Sequence, residues 1–274
     1  MMNTQGHRAR KRFGQNFLHD QNVIQRIVSA VKPQPGQRLV EIGPGLGAIT
    51  ELLLDACGQL DVVELDRDLV ARLEQRFGNK QDFRIHSGDA LKFDFCSLVG
   101  EDTEKLRLVG NLPYNISTPL LFHLMDQLNC IEDIHCMLQK EVVARMSAEP
   151  GNRHYGRLSV MLQYHCQIIH LFNVAPGAFK PAPKVDSAVA RLIPHQQPPV
   201  IVSDEKIFAK TVTQAFSQRR KTLRNCLKNY LSLEDIESAG IDPGIRPERL
   251  TLEAFARLSN IAAAKEPTTA APHP

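Results

Sequence analysis

The feature that most constrains the fold is a strand, a glycine-rich turn and a helix in immediate succession. A short apolar segment at 38–42 leads into a Gly-Pro-Gly-Leu-Gly turn at 43–47, and a helical run from 48 to 57 follows. A second apolar strand then occupies 60–66. This order is typical of the first half of a nucleotide-binding βαβ unit, in which glycines let the backbone approach a ligand closely. It predicts an α/β chain built on a Rossmann-like sheet.

Acidic residues near the ends of these strands indicate the kind of ligand. Glu64 lies 21 residues after Gly43, where a carboxylate can accept from both hydroxyls of a ribose. Asp89 follows a third strand and could accept from an adenine amino group, although a role as a turn residue fits equally well. Glu41, inside the first strand, could order the turn and offset a cationic ligand. These features favour S-adenosylmethionine, but the Gly-x-Gly-x-x-Ala run from Gly43 leaves a nicotinamide or flavin enzyme open.

The stretch Asn111-Leu112-Pro113-Tyr114 follows a fourth buried strand at 106–110. Asn111 has a side-chain carbonyl, and the backbone carbonyl of Leu112 is free of regular pairing because Pro113 stops it. Tyr114 adds a flat ring. A planar base with an exocyclic amino group needs two acceptors for its two N–H donors and a ring to stack on. The stretch therefore predicts a site for an amino-bearing base and weighs against a dehydrogenase.

Positive charge is concentrated in two segments. Residues 1–18 and 206–230 contain no acidic residue. Their lysine and arginine residues are Arg8, Arg10, Lys11, Arg12, Lys206, Lys210, Arg219, Arg220, Lys221, Arg224 and Lys228. Taking these eleven charges from a net charge of +3 leaves the rest of the chain at −8. Such a partition favours a polyanion partner, with a solvated face as the alternative.

Composition weighs against a membrane protein and against a metal site. No apolar run approaches the ~20 residues that a membrane helix needs, and the basic N-terminus lacks the apolar core of a signal peptide. We therefore expect a cytoplasmic protein with no membrane partner. Six cysteines, at positions 57, 96, 130, 136, 166 and 226, form no Cys-x-x-Cys pair. We expect them to be reduced, mostly buried thiols that hold no metal.

The remaining elements predict a seven-stranded sheet followed by helices. Asp20 can cap a helix that ends before Pro33, and late strands at 167–174 and 187–193 fit an antiparallel hairpin that closes the sheet. A single helix is predicted from Asp204 to about 228, with its apolar residues along one face. The predicted organisation is a basic arm at 1–18, a methyltransferase domain at 19–198, a small helical RNA-binding domain at 199–264 and a disordered tail at 265–274.

Four motifs resemble one known family. They are Phe-Gly-Gln-Asn-Phe-Leu at 13–18, Glu-Ile-Gly-Pro-Gly-Leu-Gly at 41–47, Asn-Leu-Pro-Tyr-Asn-Ile-Ser at 111–117 and Phe-Lys-Pro-Ala-Pro-Lys-Val-Asp-Ser at 179–187. In this order they resemble the KsgA/RsmA family of small-subunit ribosomal RNA adenine dimethyltransferases, over about residues 8–262.

The resemblance implies an activity, a cofactor and a partner. The enzyme would be a class I methyltransferase that uses S-adenosylmethionine to place two methyl groups on N6 of each of two adjacent adenines. These adenines lie near the 3′ end of 16S ribosomal RNA, within the immature small ribosomal subunit, so the activity is tied to ribosome biogenesis. We expect the protein to act as a monomer.

Site residues follow from the resemblance and from the charge pattern. The cofactor would be bound by Asn16, Leu18, Gly43, Gly45, Glu64, Asp89, Ala90 and Asn111. The catalytic group would be Asn111, Leu112, Pro113 and Tyr114, with Phe179 closing over the base from the other side. RNA phosphates would be bound by Arg8, Arg10, Lys11, Arg12, Arg219, Arg220, Lys221, Arg224 and Lys228. Lys180 and Lys184 are further RNA candidates, although a plain crossover loop is the commoner explanation of their Pro-rich segment.

Three alternatives stay open at this point. An Erm-type large-subunit RNA dimethyltransferase shares the fold and chemistry, but that group more often has Ile at the second position of the Asn-Leu-Pro-Tyr stretch. A ribosome-assembly factor whose binding matters more than its catalysis would have the same motifs. A nicotinamide oxidoreductase is the weakest of the three.

Overall fold

The computed structural model describes residues 15–100, 104–218 and 220–266. Its contacts divide the chain into two units. One comprises the residues up to Val143 together with Gln167–Pro194, and the other comprises Ala144–Cys166 together with His195 and the residues after it. This division differs from the sequence-based domain limits, which place 144–166 in the methyltransferase domain. Most of the predicted arm at 1–18 and all of the tail after 266 lie outside the described residues.

The first unit is built on a seven-stranded sheet. The strands of the described residues are β1 (Phe17–Leu18), β2 (Leu39–Ile42), β3 (Leu60–Glu64), β4 (Phe83–Ser87), β5 (Leu106–Asn111), β6 (Ile131–Gln139), β7 (Cys166–Val174), β8 (Phe179–Lys180) and β9 (Ser187–Pro194). The sheet has the order β4-β3-β2-β5-β6-β9-β7. Strands β2 to β6 pair in parallel, whereas β9 pairs antiparallel with β6. The predicted Rossmann-like sheet with a late antiparallel strand is confirmed.

The central strands are buried on both faces because helices cover the sheet. All four residues of β2 are buried, as are the first five residues of β5. Parallel strands buried on both faces are typical of α/β folds. The helices of this unit are α1 (Gln21–Val31), α2 (Thr50–Cys57), α3 (Arg67–Phe77), α4 (Ser117–Met125) and α5 (Lys140–Met146), which runs past Val143.

Helix α1 begins where the sequence predicts. The Asp20 side chain accepts hydrogen bonds from the backbone N–H groups of Asn22 and Val23, which satisfies donors that lack an intrahelical partner. Ile24, Ile27 and Val31 form its buried face. Full burial of each such side chain stabilises the fold by about 1.5–3 kcal/mol.

Helix α3 and the pairing of β1 with β8 were missed at the sequence level. Helix α3 is capped by Asp66 and buries Leu69, Val70, Leu73 and Phe77 on one face. Strand β1 pairs antiparallel with β8, with Leu18 opposite Phe179. This pair is only two residues long in each strand and joins segments about 160 residues apart, so local sequence patterns carry little sign of it.

The expectation of six reduced thiols is wrong for two cysteines. Cys96 and Cys130 form a disulfide across 34 residues of sequence. They lie in two short 3-10 turns, at Phe95–Leu98 and Leu128–Cys130. A hydrogen bond also connects these turns, because the side chain of Gln127, which precedes the second turn, accepts from the backbone N–H of Phe95. Spacing along the chain did not reveal this proximity. Cys57, Cys136, Cys166 and Cys226 are free and buried, as expected.

The second unit is helical. It contains α6 (Arg157–His165), α7 (Glu205–Ala215), α8 (Leu223–Leu227), α9 (Leu233–Ser238) and α10 (Leu252–Lys265). Helix α6 belongs here because Tyr164 packs its ring on Phe208 of α7, at 4.7 Å between centroids, and donates its hydroxyl to Glu205. These contacts join residues about 40 positions apart in the sequence. Domain limits drawn as continuous ranges of sequence therefore assigned α6 to the other domain.

The predicted single helix from Asp204 to about 228 is wrong. Asp204 does cap α7, but the helix ends at Ala215 and a new helix begins at Leu223. Between them Arg220 has a φ of +70°, in the left-handed region that a continuous helix cannot contain. The apolar pattern persists across the break because Phe216, Leu223 and Leu227 still face the interior of this unit.

Candidate active site

A cavity of about 260 Å³ opens in the first unit at the carboxyl ends of the parallel strands. Ligands of open α/β sheets bind at this edge. The cavity is lined by every predicted cofactor residue and by four of the five predicted catalytic residues: Asn16, Leu18, Gly43, Gly45, Glu64, Asp89, Ala90, Asn111, Leu112, Pro113 and Tyr114. The structure therefore brings together residues that are spread over a hundred positions of sequence.

The turn after β2 depends on its glycines. Gly43 and Gly45 have φ values of +67° and +60°, which side chains other than glycine rarely adopt. A Cβ atom on Gly45 would also lie 3.2 Å from a ring carbon of Phe17. The turn can thus approach both a ligand and the β1 segment closely.

Glu64 ends β3 with its carboxylate held by the backbone. One oxygen accepts from the N–H of Gly45 at 3.2 Å and the other from the N–H of Asp66 at 2.9 Å. Burial raises the pKa of Glu64, and these backbone hydrogen bonds oppose the rise. The backbone N–H of Leu65 also interacts with this carboxylate. A carboxylate has about four acceptor positions, so capacity remains for a hydroxyl group of a ribose.

Asp89 and its neighbours form the next part of the cavity wall. One carboxylate oxygen of Asp89 accepts from the backbone N–H of Leu91 at 3.0 Å, so the residue does stabilise the turn after β4. Its second oxygen leaves an acceptor for an amino group. Leu65 and Leu91 line the same cavity, and Leu65 is 48% exposed. An acceptor and apolar side chains in one cavity suit the edge and faces of a flat base.

Asn111 is the last residue of β5, and its amide has a defined orientation. Its Nδ2 donates to the backbone carbonyl of Asn16 at 3.0 Å. Since a carbonyl can only accept, this contact identifies the nitrogen and leaves Oδ1 on the opposite side of the amide. Among the described residues no group donates to Oδ1 or to the Leu112 carbonyl. Two acceptors are therefore available at the end of one strand.

Tyr114 completes the group with its ring on the cavity wall. Its backbone carbonyl accepts from the Ser117 hydroxyl at 3.1 Å, and its own hydroxyl lies 2.5 Å from Oγ of Ser187. Burial raises the pKa of Tyr114, so the phenol is neutral near pH 7. A neutral ring beside two acceptors is an arrangement that can hold an amino-bearing base by stacking and hydrogen bonding.

Comparison with known proteins shows the family of the chain. The family model described as ribosomal RNA adenine dimethylase matches residues 6–264. The chain belongs to this family. A relative from Pseudomonas aeruginosa, named ribosomal RNA small subunit methyltransferase A, is 62% identical over 254 residues, which cover 93% of this chain and 94% of the relative. The predicted family and the predicted enzyme class, a ribosomal RNA adenine dimethyltransferase, are confirmed.

Two solved structures share the fold of this dimethylase family member. The dimethyladenosine transferase from Plasmodium falciparum has a TM-score of 0.74 and 24% identity, with 88% of this chain and 95% of that one covered. The 23S rRNA methyltransferase ErmE has a TM-score of 0.70 and 24% identity, with 90% and 100% covered. At these identities the likeness concerns the fold alone.

Phe179 differs from the other predicted catalytic residues of the dimethylase. Its side chain is 3% exposed and packs in the hydrophobic core with Leu18, Ile24 and Ile27. It does not line the cavity. A contact between Phe179 and a base stays a prediction, whereas its pairing with Leu18 is one of the contacts that hold β1 at the cavity.

The predicted RNA contacts are placed only in part. In the second unit Arg220, Lys221, Arg224 and Lys228 are exposed, and in the first unit so are Lys180 and Lys184. Arg8, Arg10, Lys11, Arg12 and Arg219 lie outside the described residues. Exposure suits phosphate contacts but does not distinguish them from a solvated face.

Other residues of the cavity were missed at the sequence level. Gln15 lines the cavity, and its side chain donates to the Asp66 carboxylate at 3.0 Å. His135 of β6 also lines the cavity and is 2% exposed. Neither of its ring nitrogens has a hydrogen-bond partner among the described residues, and Nδ1 lies 3.6 Å from the Asp133 carboxylate. His135 lies in an apolar strand, and its pattern gave no reason to single it out.

Glu41 lines the cavity as a buried acid. Its carboxylate accepts from the Thr50 hydroxyl at 2.6 Å. Burial raises the pKa of Glu41 to about 8, the Thr50 hydrogen bond opposes this, and the charge of Glu64 adds to it. In this state the group is therefore largely protonated near pH 7, and a cation bound beside it would favour its ionised form.

The described residues contain neither a candidate membrane-spanning helix nor a candidate metal-binding cluster. None of their helices combines the length and the apolar character that a membrane span requires. Their His, Cys, Asp and Glu side chains form no group of three or more that could hold a metal ion.

Proposed function

We propose that this protein uses S-adenosylmethionine to dimethylate N6 of two adjacent adenines near the 3′ end of 16S ribosomal RNA. The substrate would be the immature small ribosomal subunit, and the protein would act as a monomer in the cytoplasm during ribosome biogenesis. The observation that carries the proposal is the position of Asn111. Its oriented amide and the Leu112 carbonyl offer two acceptors beside the Tyr114 ring, in the same cavity as Glu64.

The cavity residues fit S-adenosylmethionine by their chemistry. Glu64 would accept from the ribose hydroxyls, and Asp89 would accept from the adenine amino group between Leu65 and Leu91. The turn at Gly43 and Gly45 would let the backbone approach the ligand, with Asn16, Leu18 and Ala90 completing the wall. When bound, the cofactor supplies an electrophilic methyl group on a sulfonium.

The catalytic group would prepare the target nitrogen. The lone pair of an adenine amino nitrogen is delocalised into the ring, so the nitrogen is a poor nucleophile. In the first transfer, hydrogen bonds from its two N–H groups to Asn111 Oδ1 and the Leu112 carbonyl would favour a tetrahedral nitrogen. The same oxygens stabilise the positive charge that develops there. In the second transfer one N–H remains, and it can donate to only one of these acceptors. Each transfer would release a neutral thioether and one proton from the nitrogen. Stacking on Tyr114 would offset part of the few kcal/mol that it costs to unstack the base, and positioning for in-line attack supplies further rate.

Exposed cations would bind the RNA backbone. Phosphate contacts position a protein on RNA without reading its sequence. We assign this role to Arg220, Lys221, Arg224 and Lys228 of the helical unit and to Lys180 and Lys184 of the sheet unit. Arg8, Arg10, Lys11, Arg12 and Arg219 extend the proposal to residues outside the described ranges.

One assay tests the proposal against its alternatives. Labelled S-adenosylmethionine is offered to the protein with small-subunit particles, large-subunit particles or naked ribosomal RNA, and the RNA is digested to nucleosides. We expect N6,N6-dimethyladenosine from the small-subunit particles. Label in large-subunit RNA would assign the Erm-type activity instead. Tight particle binding with no methylation under saturating cofactor would indicate that the protein acts as an assembly factor.

A further inference from the structure

Tyr114 and Ser187 make a contact that the proposed chemistry does not yet use. Their hydroxyl groups lie 2.5 Å apart although the residues are separated by 73 positions. Ser187 is fully buried, whereas Tyr114 is half-buried and lines the cavity. The contact therefore joins a wall of the cavity to a side chain behind it.

Ser187 lies on a rigid part of the fold. It is the first residue of β9 and pairs with Gln139 at the end of β6. The preceding carbonyl, of Asp186, accepts from the backbone N–H of Lys140 at 2.9 Å. Backbone contacts on both sides of the serine hold its Cα at the carboxyl end of the parallel strands, and a single side-chain torsion then sets the position of its hydroxyl.

The Tyr114 side chain lacks such support from its own segment. Local hydrogen bonds hold its backbone, because the Pro113 carbonyl accepts from Ile116 and the Tyr114 carbonyl accepts from Ser117. These bonds fix the Cα atom but leave the two side-chain torsions to packing and to the hydroxyl contact. A hydrogen bond at the far end of the ring restrains both torsions at once.

We infer that Ser187 is a positioning residue that sets the plane of the Tyr114 ring for the target adenine. The inference rests on the proposed function, in which the ring stacks on the base while Asn111 and Leu112 hold the amino group. Stacking and the two hydrogen bonds act together only when the ring plane is parallel to the base plane. The hydroxyl pair thus connects the Asn-Leu-Pro-Tyr motif to the end of the Phe-Lys-Pro-Ala-Pro-Lys-Val-Asp-Ser motif.

A double-mutant cycle separates positioning from a general structural role. Ser187→Ala, Tyr114→Phe and the double variant are compared in single-turnover methylation of small-subunit particles with saturating cofactor. Loss of one hydrogen bond corresponds to a decrease of about 2- to 12-fold in rate, which we expect for Ser187→Ala. In the Tyr114→Phe background, where the ring has no hydroxyl, Ser187→Ala should have no further effect. Cofactor affinity should be equal in all four proteins, and Ser187→Thr, which retains the hydroxyl, should restore much of the rate.

An equal effect of Ser187→Ala in both backgrounds would overturn the inference, since the serine would then act only through the stability of β9. An unchanged rate in Ser187→Ala would overturn it as well. Thermal unfolding of each variant shows whether it folds. If the wild-type protein methylates no adenine, the proposed function fails, and the contact itself is then tested without activity.

That second test uses tyrosine resonances. The chain has four tyrosines and no tryptophan, so a protein labelled at tyrosine Cζ gives a simple spectrum. The Tyr114 resonance is the one that disappears in Tyr114→Phe. Ser187→Ala should shift this resonance and leave the other three in place. A resonance that does not move would show that the two hydroxyls are not hydrogen-bonded, and the inference would be wrong.

Discussion

The side-chain amide of Asn111 donates to the backbone carbonyl of Asn16, 95 residues earlier in the chain, at 3.0 Å. The hydrogen bond joins the N-terminal motif to the end of the central strand. It also directs Oδ1 of Asn111 away from Asn16, so the orientation of the proposed catalytic acceptor depends on the β1 segment. That segment is in turn held by the pairing of Leu18 with Phe179.

Replacement of Asn111 by Ala should reduce methyl transfer much more than RNA binding. The amide oxygen acts mainly as the target nitrogen becomes tetrahedral, and removal of one such group typically costs about 100-fold or more in rate. Single-turnover rates with saturating cofactor measure this effect. Because the variant also loses the Asn16 contact, its cofactor affinity is measured separately by calorimetry. A rate close to that of the wild type would contradict the proposed mechanism.

Replacement of Glu64 by Ala should weaken cofactor binding, because the ribose loses its carboxylate acceptor. Hydrogen bonds to a charged group contribute about 1.5–3 kcal/mol, which corresponds to about 10- to 150-fold in dissociation constant. Calorimetry with S-adenosylmethionine provides the measurement. Glu74→Gln, at an exposed position of α3, is the matched control and should bind as the wild type does. Unchanged affinity in a folded Glu64→Ala protein would remove this residue from the ribose site.

Stability should fall with rising pH because of Glu41. The pKa of this group is about 8 in the folded protein, above its ordinary value of 4.5. Between these values the folded state binds more protons than the unfolded state, so the stabilisation is present at low pH and is lost as pH rises through about 8. One group contributes a slope of up to about 1.4 kcal/mol per pH unit.

Urea unfolding at several pH values between 5 and 8 measures this slope. Glu41→Gln keeps the shape of the side chain but does not titrate. The free energy of unfolding of this variant, relative to that of the wild type, should therefore increase as pH rises. Glu74→Gln should follow the wild-type pH dependence. Parallel pH profiles for wild type and Glu41→Gln would show that Glu41 is ionised throughout this range.

Substitution of Arg220, Lys221 and Arg224 by Gln should weaken RNA binding and reduce its dependence on salt. Each phosphate contact that is lost should flatten the slope of log affinity against log salt by roughly 0.7 to 0.9. Filter binding of small-subunit particles at several salt concentrations measures both quantities, and cofactor affinity should stay unchanged.

The charge-matched control replaces Arg67, Arg84 and Lys105, which are exposed in the sheet unit. It removes the same net charge outside the basic segment and should have a smaller effect on the slope. Equal effects of the two triple variants would indicate general electrostatic attraction. No effect in the first variant would transfer the RNA-binding role to Lys180 and Lys184.

The sequence by itself determined the sheet and the chemical groups of the site. Apolar strands, the glycine turn and the capping Asp20 act through neighbouring residues, so their consequences are visible in local order. Glu64, Asp89 and Asn111 each stand at the end of a parallel strand, and such ends meet at one edge of the sheet. Their convergence could therefore be predicted once the strands were known.

The tertiary structure decided which of these groups touch. The contacts of Asn111 with Asn16, Tyr114 with Ser187 and Cys96 with Cys130 span 95, 73 and 34 residues. Partners at such separations depend on strand order, register and side-chain direction, none of which a local pattern contains. The break of the predicted helix at 216–222 and the packing of α6 on α7 have the same origin. An apolar face shows that a segment is buried, but only the packed fold determines which other elements that face contacts.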